Sequence, residues 1–347
     1  MAADGAGAVE VGDDGIEVRL LDADEGAMVG DAIRVAYGDS YDAAWVYDAD
    51  EVGRRIADGR FVSCVALDPD GALLCHAGVS RSSVDEHVGE SGQAVTLPAA
   101  RGHHLFQRVK QHLAHWSTGA GLYGLFSEVT TAHPYSERAN VDLGAVETGF
   151  LLGWIPATVS NDAASGRSGR TSVALFYLKT NDGHDRPVYA PPRHRDAVAG
   201  VIAAAGLRGS LADAPGATVP PTGPSDLHAE VRADHNIAIV TVLTPGADLV
   251  DRVLDERRRH FDAGIDVLYV DLALEDPRTE HVGERLDDAG VSFAGVFPNR
   301  HVAGDVLRLQ ALNGLDIGPD DVTTASDHGR HLLDYVLADA AGVTRGG

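Results

Sequence analysis

The chain has 347 residues, with 28 Lys and Arg against 52 Asp and Glu, and a formal net charge of -24 at pH 7. A surface this acidic repels nucleic-acid phosphates and anionic lipid headgroups, so we expect neither nucleic acid nor a membrane as partner. With 44% hydrophobic residues the chain can bury a core. At roughly 150 residues per domain, its length indicates about two domains.

Cellular location follows from what the sequence lacks. It contains no uncharged apolar run of roughly 18 residues, the length that spans a bilayer. Its first residues lack the basic and apolar regions of a signal peptide. Two cysteines cannot form a disulfide framework, which agrees with a reducing compartment. We therefore expect a cytoplasmic protein.

The acidic residues are mostly aspartate, 38 of 52, and only two lysines occur, Lys110 and Lys179. An acidic, lysine-poor surface stays hydrated in concentrated salt, so we predict a halophilic host, with a GC-rich genome as the alternative reading. In a halophilic protein the melting temperature rises as KCl is raised to multimolar concentration. A melting temperature that is constant or falls with KCl would contradict this reading.

The first part of the chain predicts a mixed sheet with flanking helices. Residues 1–15 are small and acidic and are read as a disordered tail. Apolar periodicity and turn signals then predict a strand at 16–20, helices at 22–38 and 48–58, strands at 61–67, 72–80 and 93–100, a helix at 105–118, a strand at 122–131, a helix at 133–143, and strands at 145–153 and 171–179. Residues 16–180 therefore form the first predicted domain.

A connecting segment, 181–227, follows, and its part at 209–227 is rich in Gly, Pro, Ala and Ser, which predicts a linker. Beyond it the pattern predicts strands at 228–233 and 236–243, a helix at 248–261, a strand at 267–272, a helix at 277–289, strands at 291–297 and 305–311, and a helix at about 319–339. Residues 228–340 thus form a second, smaller α/β unit, and the fold class is mixed α/β.

The acids avoid one stretch of the chain. No Asp or Glu occurs between Glu90 and Glu128, a gap of 37 residues. Basic and titratable side chains collect there instead, namely Arg101, His103, His104, Arg108, Lys110, His112 and His115. A small positive region in so acidic a chain suits an anionic small molecule.

The order strand, turn, helix around Arg101 predicts where that anion binds. The backbone N–H groups of Gly102, His103, His104, Leu105 and Phe106 lie at a predicted helix N-terminus, where unpaired donors and the helix dipole attract negative charge. Arg101 adds a full positive charge. The turn is neither a P-loop, because no Gly-Lys-Ser/Thr follows, nor a dinucleotide fingerprint, because Gly102 stands alone.

Three stretches together resemble a known superfamily: Ala94-Val-Thr-Leu-Pro-Ala-Ala-Arg-Gly-His-His-Leu105, Glu128-Val-Thr-Thr-Ala-His-Pro-Tyr-Ser136 and Gly144-Ala-Val-Glu-Thr-Gly-Phe150. They look like the GNAT superfamily of acetyl-CoA-dependent N-acyltransferases, over about residues 16–180. The segments 291–298 and 305–310 resemble late strands of the same fold, which predicts a degenerate second copy.

The resemblance implies a GNAT-type sheet, acetyl-CoA as co-substrate, and a small-molecule or protein amine as acyl acceptor. It implies that Leu97 and neighbouring strand backbone, including Val95, pair with the pantetheine arm. The turn from Arg101 to Phe106 would hold the pyrophosphate. The helix that begins near His133, with Ser136 and Asn140, would flank the thioester. A homodimer is one possible assembly.

The chain departs from the superfamily pattern at two places. His104 and Phe106 stand where the turn usually has small residues, and Asn140 stands where a tyrosine often protonates the leaving thiolate. Asn140 cannot act as a general acid, so Tyr135, Ser136 or His133 would do so, or the thiolate would leave unaided. These departures motivate a second hypothesis, a non-catalytic acyl-CoA sensor or scaffold.

Glu128, the first acid after the gap, is the leading candidate for the general base, directly or through water, and an ion pair with an arginine is the alternative. His133 is a candidate base or acid, or else a helix cap. Tyr41, Trp45 and Tyr47 are read either as lining the acceptor site or as aromatic core.

Two further pairs are read as structural. His112 and His115 are three apart on a helix, but no nearby carboxylate or cysteine would complete a metal site, so no metal is expected. Cys64 and Cys75 lie on facing strands of a hairpin. A two-residue turn would set them opposite each other, and a bulge at Gly71 would set Cys64 opposite His76. In either case we expect buried thiols and no redox pair.

Overall fold

The computed structural model describes residues 9–39, 41, 43–100, 102–157, 169–214, 222–301 and 304–344. The strands among them are β1 (Glu10–Val11), β2 (Glu17–Leu20), β3 (Phe61–Leu67), β4 (Leu73–Ser80), β5 (Val88–Thr96), β6 (Gly124–Thr130), β7 (Val146–Ile155), β8 (Thr171–Lys179), β9 (Arg186–Val188), β10 (Gly209–Leu211), β11 (Asp226–Arg232), β12 (Ile237–Thr244), β13 (Val267–Ala273), β14 (Ser292–His301) and β15 (Gly304–Leu312). The helices are α1 (Ala27–Tyr37), α2 (Ala49–Ala57), α3 (Leu105–Gly119), α4 (Tyr135–Asp142), α5 (Arg195–Ala204), α6 (Leu249–Asp262), α7 (Arg278–Asp288) and α8 (Asp327–Thr344).

The chain divides into two compact units. Unit 1 comprises 1–127, 142–144 and 178–181, and unit 2 comprises 128–141, 145–177 and 182–347. Strands and helices occur in both units, so the predicted mixed α/β fold class is confirmed.

The sheet of unit 1 runs in the order β1-β2-β3-β4-β5-β6. Its neighbours are antiparallel except for β5 and β6, which are parallel and joined through α3. Alternate residues of β3 face opposite sides: Cys64 packs with Leu113 of α3, and Val65 packs with Val52 of α2. The sheet of unit 1 is therefore covered by α3 on one face and by α1 and α2 on the other.

The hairpin of β3 and β4 has a different register from either predicted one. Cys64 lies opposite Ala77 and Cys75 opposite Ala66, because a shift between Ala66 and Leu67 adds to the turn at Gly71. Both thiols are free and buried, as expected. Burial raises the pKa of Cys75 to about 11 and that of Cys64 still further, which keeps both protonated and unreactive.

Several element boundaries differ from the predicted ones. The tail predicted at 1–15 contains β1, which pairs with β2. β5 begins at Val88 and ends at Thr96, and Pro98–Ala100 form a 3-10 turn. The last helix begins at Asp327 and not near 319, because Pro319–Asp321 form a separate 3-10 turn.

Unit 2 holds the sheet order β8-β7-β14-β15-β13-β12-β11, with β9 and β10 forming a separate parallel pair. The connecting segment predicted at 181–227 contains helix α5 and these two short strands. All neighbours in the larger order are antiparallel except β12 and β13.

The elements from β4 to β8 and those from β11 to β15 follow the same order: two strands, a helix, a strand, a helix, two strands. In both series the first two strands pair antiparallel, and the second and third pair parallel. In both, the last two strands also pair antiparallel. The element order that the resemblance implied is thus present at 73–179 and occurs again at 226–312.

Candidate functional site

Strand β5 carries a bulge in its middle. The pairing with β4 shifts between His76 and Gly78, and Gln93 adopts a positive φ of 48°. The fully buried His76 fixes this bulge, since its Nδ1 lies 2.7 Å from the Gln93 carbonyl oxygen and its Nε2 lies 2.8 Å from Ser63 Oγ. Burial lowers the pKa of His76 to about 4, so the ring is neutral and donates from Nδ1 to the carbonyl.

The predicted contacts of β5 with a pantetheine arm fall on Val95 and Leu97. Val95 is 4% exposed and packs with Val65 and Ile33 in the core. The Leu97 amide donates to the Leu74 carbonyl at 3.0 Å, and the Leu97 carbonyl accepts from the Ala100 amide. Because amides alternate along a strand, the Thr96 N–H points away from β4 and is the donor available to an added chain. The Leu97 amide is thus already bound within the sheet, and the predicted pantetheine contact along this strand stays a prediction.

The turn before α3 has open backbone donors. Gly102 has a φ of 87°, and His104 adopts the left-handed conformation at the N-cap of α3. No side chain among the described residues caps the helix, and no acid lies in its first turn. Gly102, His103 and His104 are exposed, Leu105 is buried in the core and Phe106 is half-buried. Arg101 lies outside the described residues, so its predicted role stays a prediction.

The parallel pair β5 and β6 forms a fork in unit 1. Their Cα partners run from Val88–Gly124 to Glu90–Phe126. One residue further on, side chains connect the two strands, because Ser127 Oγ donates to the Ser91 carbonyl at 3.0 Å. Lys110 Nζ from α3 donates to the hydroxyls of Ser91 at 2.8 Å and Ser127 at 3.2 Å. We name Lys110, Ser91 and Ser127 the fork cluster.

In unit 2, Glu128 is half-buried. Burial opposes the charge of Arg308, but Asp271 and, to a smaller extent, the charge of Glu128 raise the pKa of this arginine above its ordinary value. Arg308 is bound by Asp271 through two hydrogen bonds of 2.7 Å. Glu128 thus lies in the field of an arginine that already has a carboxylate partner, which is compatible with both predicted readings of Glu128.

The other predicted residues of unit 2 lie on or just before α4. Tyr135 is 74% exposed, and its ring lies 5.2 Å from that of the half-buried His133. Asn140 is 5% exposed, and its amide donates to the Ser136 carbonyl at 2.8 Å. Asn140 and Ser136 therefore bond each other within the helix. The Tyr135 hydroxyl is the more accessible proton donor of the group.

The aromatic residues before α2 pack largely as core. Trp45 lies edge-on to Phe61 with ring centroids 5.0 Å apart, and the Arg55 guanidinium carbon lies 4.4 Å from the centroid of the Trp45 ring. The Tyr47 hydroxyl accepts from the Tyr41 amide and donates to the Gly38 carbonyl. Of the two predicted interpretations, aromatic core therefore describes Trp45 better than a lining of the acceptor site.

Unit 2 contains two buried carboxylates that the sequence did not indicate, because the residues that bind them are far away in the chain. Glu137 and Glu147 are 0% and 1% exposed. Glu147 accepts from Ser326 Oγ at 2.8 and 2.9 Å, and Glu137 Oε1 lies 3.4 Å from Thr323 Oγ1. Burial and, second, the charge of Glu147 raise the pKa of Glu137 to about 8, so Glu137 is protonated at neutral pH.

We expect Glu137→Gln to raise stability at alkaline pH. Between the ordinary glutamate pKa and about 8, folded Glu137 holds a proton that the unfolded chain has released, so stability falls as pH rises through this window. At pH 9 the variant should melt roughly 5 °C above the parent, because each kcal/mol shifts the Tm of a folded unit of roughly 150–250 residues by about 2–4 °C. The control is Glu230→Gln, an exposed change, and equal pH profiles for parent and Glu137→Gln would contradict the prediction.

Solved structures similar to this chain include the spermidine/spermine N-acetyltransferase of Vibrio cholerae, with 14% identity over 48% of this chain and 95% of that chain, and a TM-score of 0.38. The V. cholerae spermidine N-acetyltransferase in complex with CoA and spermine has 15% identity, coverages of 48% and 95%, and a TM-score of 0.38. The ribosomal-protein-S5-alanine acetyltransferase of Vibrio fischeri has 12% identity, coverages of 50% and 98%, and a TM-score of 0.39. No protein-family model matches the sequence, and no curated protein matches it.

No three His, Cys, Asp or Glu side chains of the described ranges are grouped as a metal site would need. None of the helices described combines the length and apolar character needed to cross a bilayer.

Proposed function

We propose that this chain transfers an acetyl or related acyl group from acyl-CoA to an amine by direct attack in a ternary complex. The observation that carries the proposal is the turn before α3. It presents uncapped backbone donors directly after a strand that pairs parallel with β6, inside the one long stretch free of acids. Such a helix N-terminus binds a pyrophosphate through N–H groups and the helix dipole.

The roles follow from the chemistry of each residue. The amides at 102–106, with Arg101, hold the pyrophosphate, and the Thr96 amide pairs with the arm. Glu128 takes a proton from the attacking ammonium, since an amine is nucleophilic only as the free base. Tyr135 or His133 lies on or just before α4, where a proton donor to the leaving group is expected.

The test is calorimetry with acetyl-CoA in high KCl, followed by a thiol-release assay over a panel of primary amines. We expect micromolar binding and amine-dependent thiol release. No heat and no thermal shift at millimolar acetyl-CoA would overturn the proposal.

A non-catalytic acyl-CoA sensor is the second candidate, favoured by Asn140 at the position of the superfamily's tyrosine and by the bulky His104 in the turn. A sensor would bind acetyl-CoA as the proposed enzyme does, but it would release no thiol. Heat on acetyl-CoA addition without thiol release for any amine of the panel would support the sensor.

We further propose that residues 228–340 are a degenerate second copy that does not bind acyl-CoA. The turn before α6 is already bound to Ser225, because Asp248 Oδ1 accepts from the amide and hydroxyl of that residue, both at 2.7 Å. The Gly246 amide donates to Ser225 Oγ, and the Asp248 carboxylate adds negative charge where an anion would bind.

The parallel strands of this copy also stay paired over a longer stretch than those of the first. β12 and β13 pair over five consecutive residues, Ile237 to Thr241, whereas the pairs of β5 with β6 cover three. We therefore expect calorimetry to give one acetyl-CoA bound per chain. A stoichiometry of two would contradict the proposal for the second copy and leave that for the first intact.

The acceptor is an amine, either a small molecule or a protein amine. The net charge of -24 attracts a cationic amine at low salt, but in molar salt the Debye length is about 3 Å and long-range steering vanishes.

A further inference from the structure

The fork cluster buries a positive charge that has no counter-ion in the part of the chain that the structure describes. Lys110, Ser91 and Ser127 are 5%, 5% and 6% exposed. No carboxylate of the described residues forms an ion pair with Lys110, and burial alone lowers its pKa to about 8. Burying an ammonium without a carboxylate is costly, so a lysine at this place is not explained by stability.

The ammonium also has a donor to spare. Lysine carries three N–H bonds, and two of them go to the hydroxyls of Ser91 and Ser127. No further acceptor for Nζ lies among the described residues, and its nearest other neighbour of note is the Phe106 ring, with Nζ 5.7 Å from the centroid. The third N–H is thus available to an incoming group.

The fork cluster lies where an extended ligand arm bound along β5 must end. The turn before α3 follows the end of β5. Going back along β5 from this turn, the first residue that pairs with β6 is Glu90. Leu97 lies six positions after Ser91, a distance of about 20 Å at 3.3 Å per strand residue. An arm anchored at the turn and laid along β5 toward the fork is stopped by the paired strands, with its reactive end facing Ser91 and Lys110.

We propose that Lys110, in place of Tyr135 or His133, is the general acid that protonates the leaving thiolate, a role that rests on the acyltransferase function proposed above. The amine nitrogen forms a bond to the acyl carbon, the carbon–sulfur bond breaks, and the sulfur takes a proton from Nζ. Neutral Lys110 then regains a proton from water, while the surplus proton of the amine leaves through the base. The products are an amide and the free thiol.

The ordinary pKa of a thiol is about 8.5, so a lysine that titrates near 8 is well matched to it. Because Lys110 must be protonated to act, turnover is lost as pH rises through about 8. The acid-free stretch agrees with this role, since a carboxylate beside Nζ would hold the proton more tightly. Burial is the cause of this pKa shift. The other titratable groups on α3 and on strands β2 to β5, which pack against it, are Glu17, Arg19, Cys64, Cys75, His76, Glu90, Arg108, His112 and His115.

The decisive experiment needs no knowledge of the acceptor. CoA is bound to the full chain, and the pKa of its thiol is read from the ultraviolet absorbance of the thiolate. We expect the bound thiol to titrate at least one pH unit below free CoA, and the shift to disappear in Lys110→Met. Lys179→Met, the same change at the only other lysine, should leave the shift in place.

The variants also separate catalysis from folding. Lys110→Met removes an unpaired buried charge, so its melting temperature should equal or exceed that of the parent. With an amine that supports turnover, kcat should fall at least tenfold in both Lys110→Met and Lys110→Arg, because arginine keeps the charge but holds its proton.

Each failure has its own signature. A thiol pKa that is the same in parent and Lys110→Met, or full turnover by Lys110→Arg, would overturn the role of Lys110 alone. No heat on CoA addition to the parent would overturn the proposed function itself.

Discussion

Replacing Glu128 by glutamine should lower kcat by about 10²- to 10⁴-fold, the usual contribution of a positioned base, and leave acetyl-CoA affinity unchanged. The loss should shrink at high pH, because the amine then arrives already deprotonated. Measurement is by thiol release at saturating acetyl-CoA across pH 6 to 10, with affinity followed by calorimetry.

The control is Glu230→Gln, which removes one exposed carboxylate on β11 and should leave kcat within twofold. If Glu128 is instead an ion partner of Arg308, Glu128→Gln would lower the melting temperature and spare kcat. An unchanged kcat would pass the role of base to His133.

Introducing a carboxylate into the turn before α3 should weaken acetyl-CoA binding at least tenfold, or about 1.4 kcal/mol. His103→Glu is the suitable change, since His103 is exposed and sits beside the open amides. Like charge at a helix N-terminus opposes a pyrophosphate there. Calorimetry at two KCl concentrations measures the effect, which should shrink with salt.

His115→Glu is the matched control, because His115 is exposed on the same helix, toward its other end. Its affinity for acetyl-CoA should equal that of the parent. Equal weakening by both variants would point to overall charge and contradict a binding site at the turn.

Much of the fold could be predicted because the signals are local. The apolar spacing of Leu105, Val109 and Leu113 gave α3 nearly to the residue, and Asp68 and Gly71 gave the hairpin turn. The start of β5 was missed because Gly89, Gly92 and the bulged Gln93 interrupt the apolar alternation there. The start of α8 was placed too early, since Ser326, whose hydroxyl accepts from the Gly329 amide, is its actual cap.

The candidate site was only partly predictable. The turn and the acid-free stretch are contiguous in sequence, so both could be seen there. The fork cluster joins residues 17 to 36 positions apart. The partners of the buried carboxylates are further away still: Thr323 lies 186 positions after Glu137, and Ser326 lies 179 positions after Glu147. Burial and pairing of this kind come from the register of the strands, which no local pattern encodes. The lack of acids around Lys110 was the one trace of the fork cluster in the sequence.

The junction of β7 and β14 in unit 2 has a consequence for assembly. These strands hold the same place in the two series of elements, and they meet antiparallel at Gly149 and Gly295, each directly after a register shift. A Cβ on either glycine would lie 2.5 Å from the backbone of the other strand, so the approach of the two strands is close at this point. A second copy of this chain would have to associate through some other surface, because this edge is already taken.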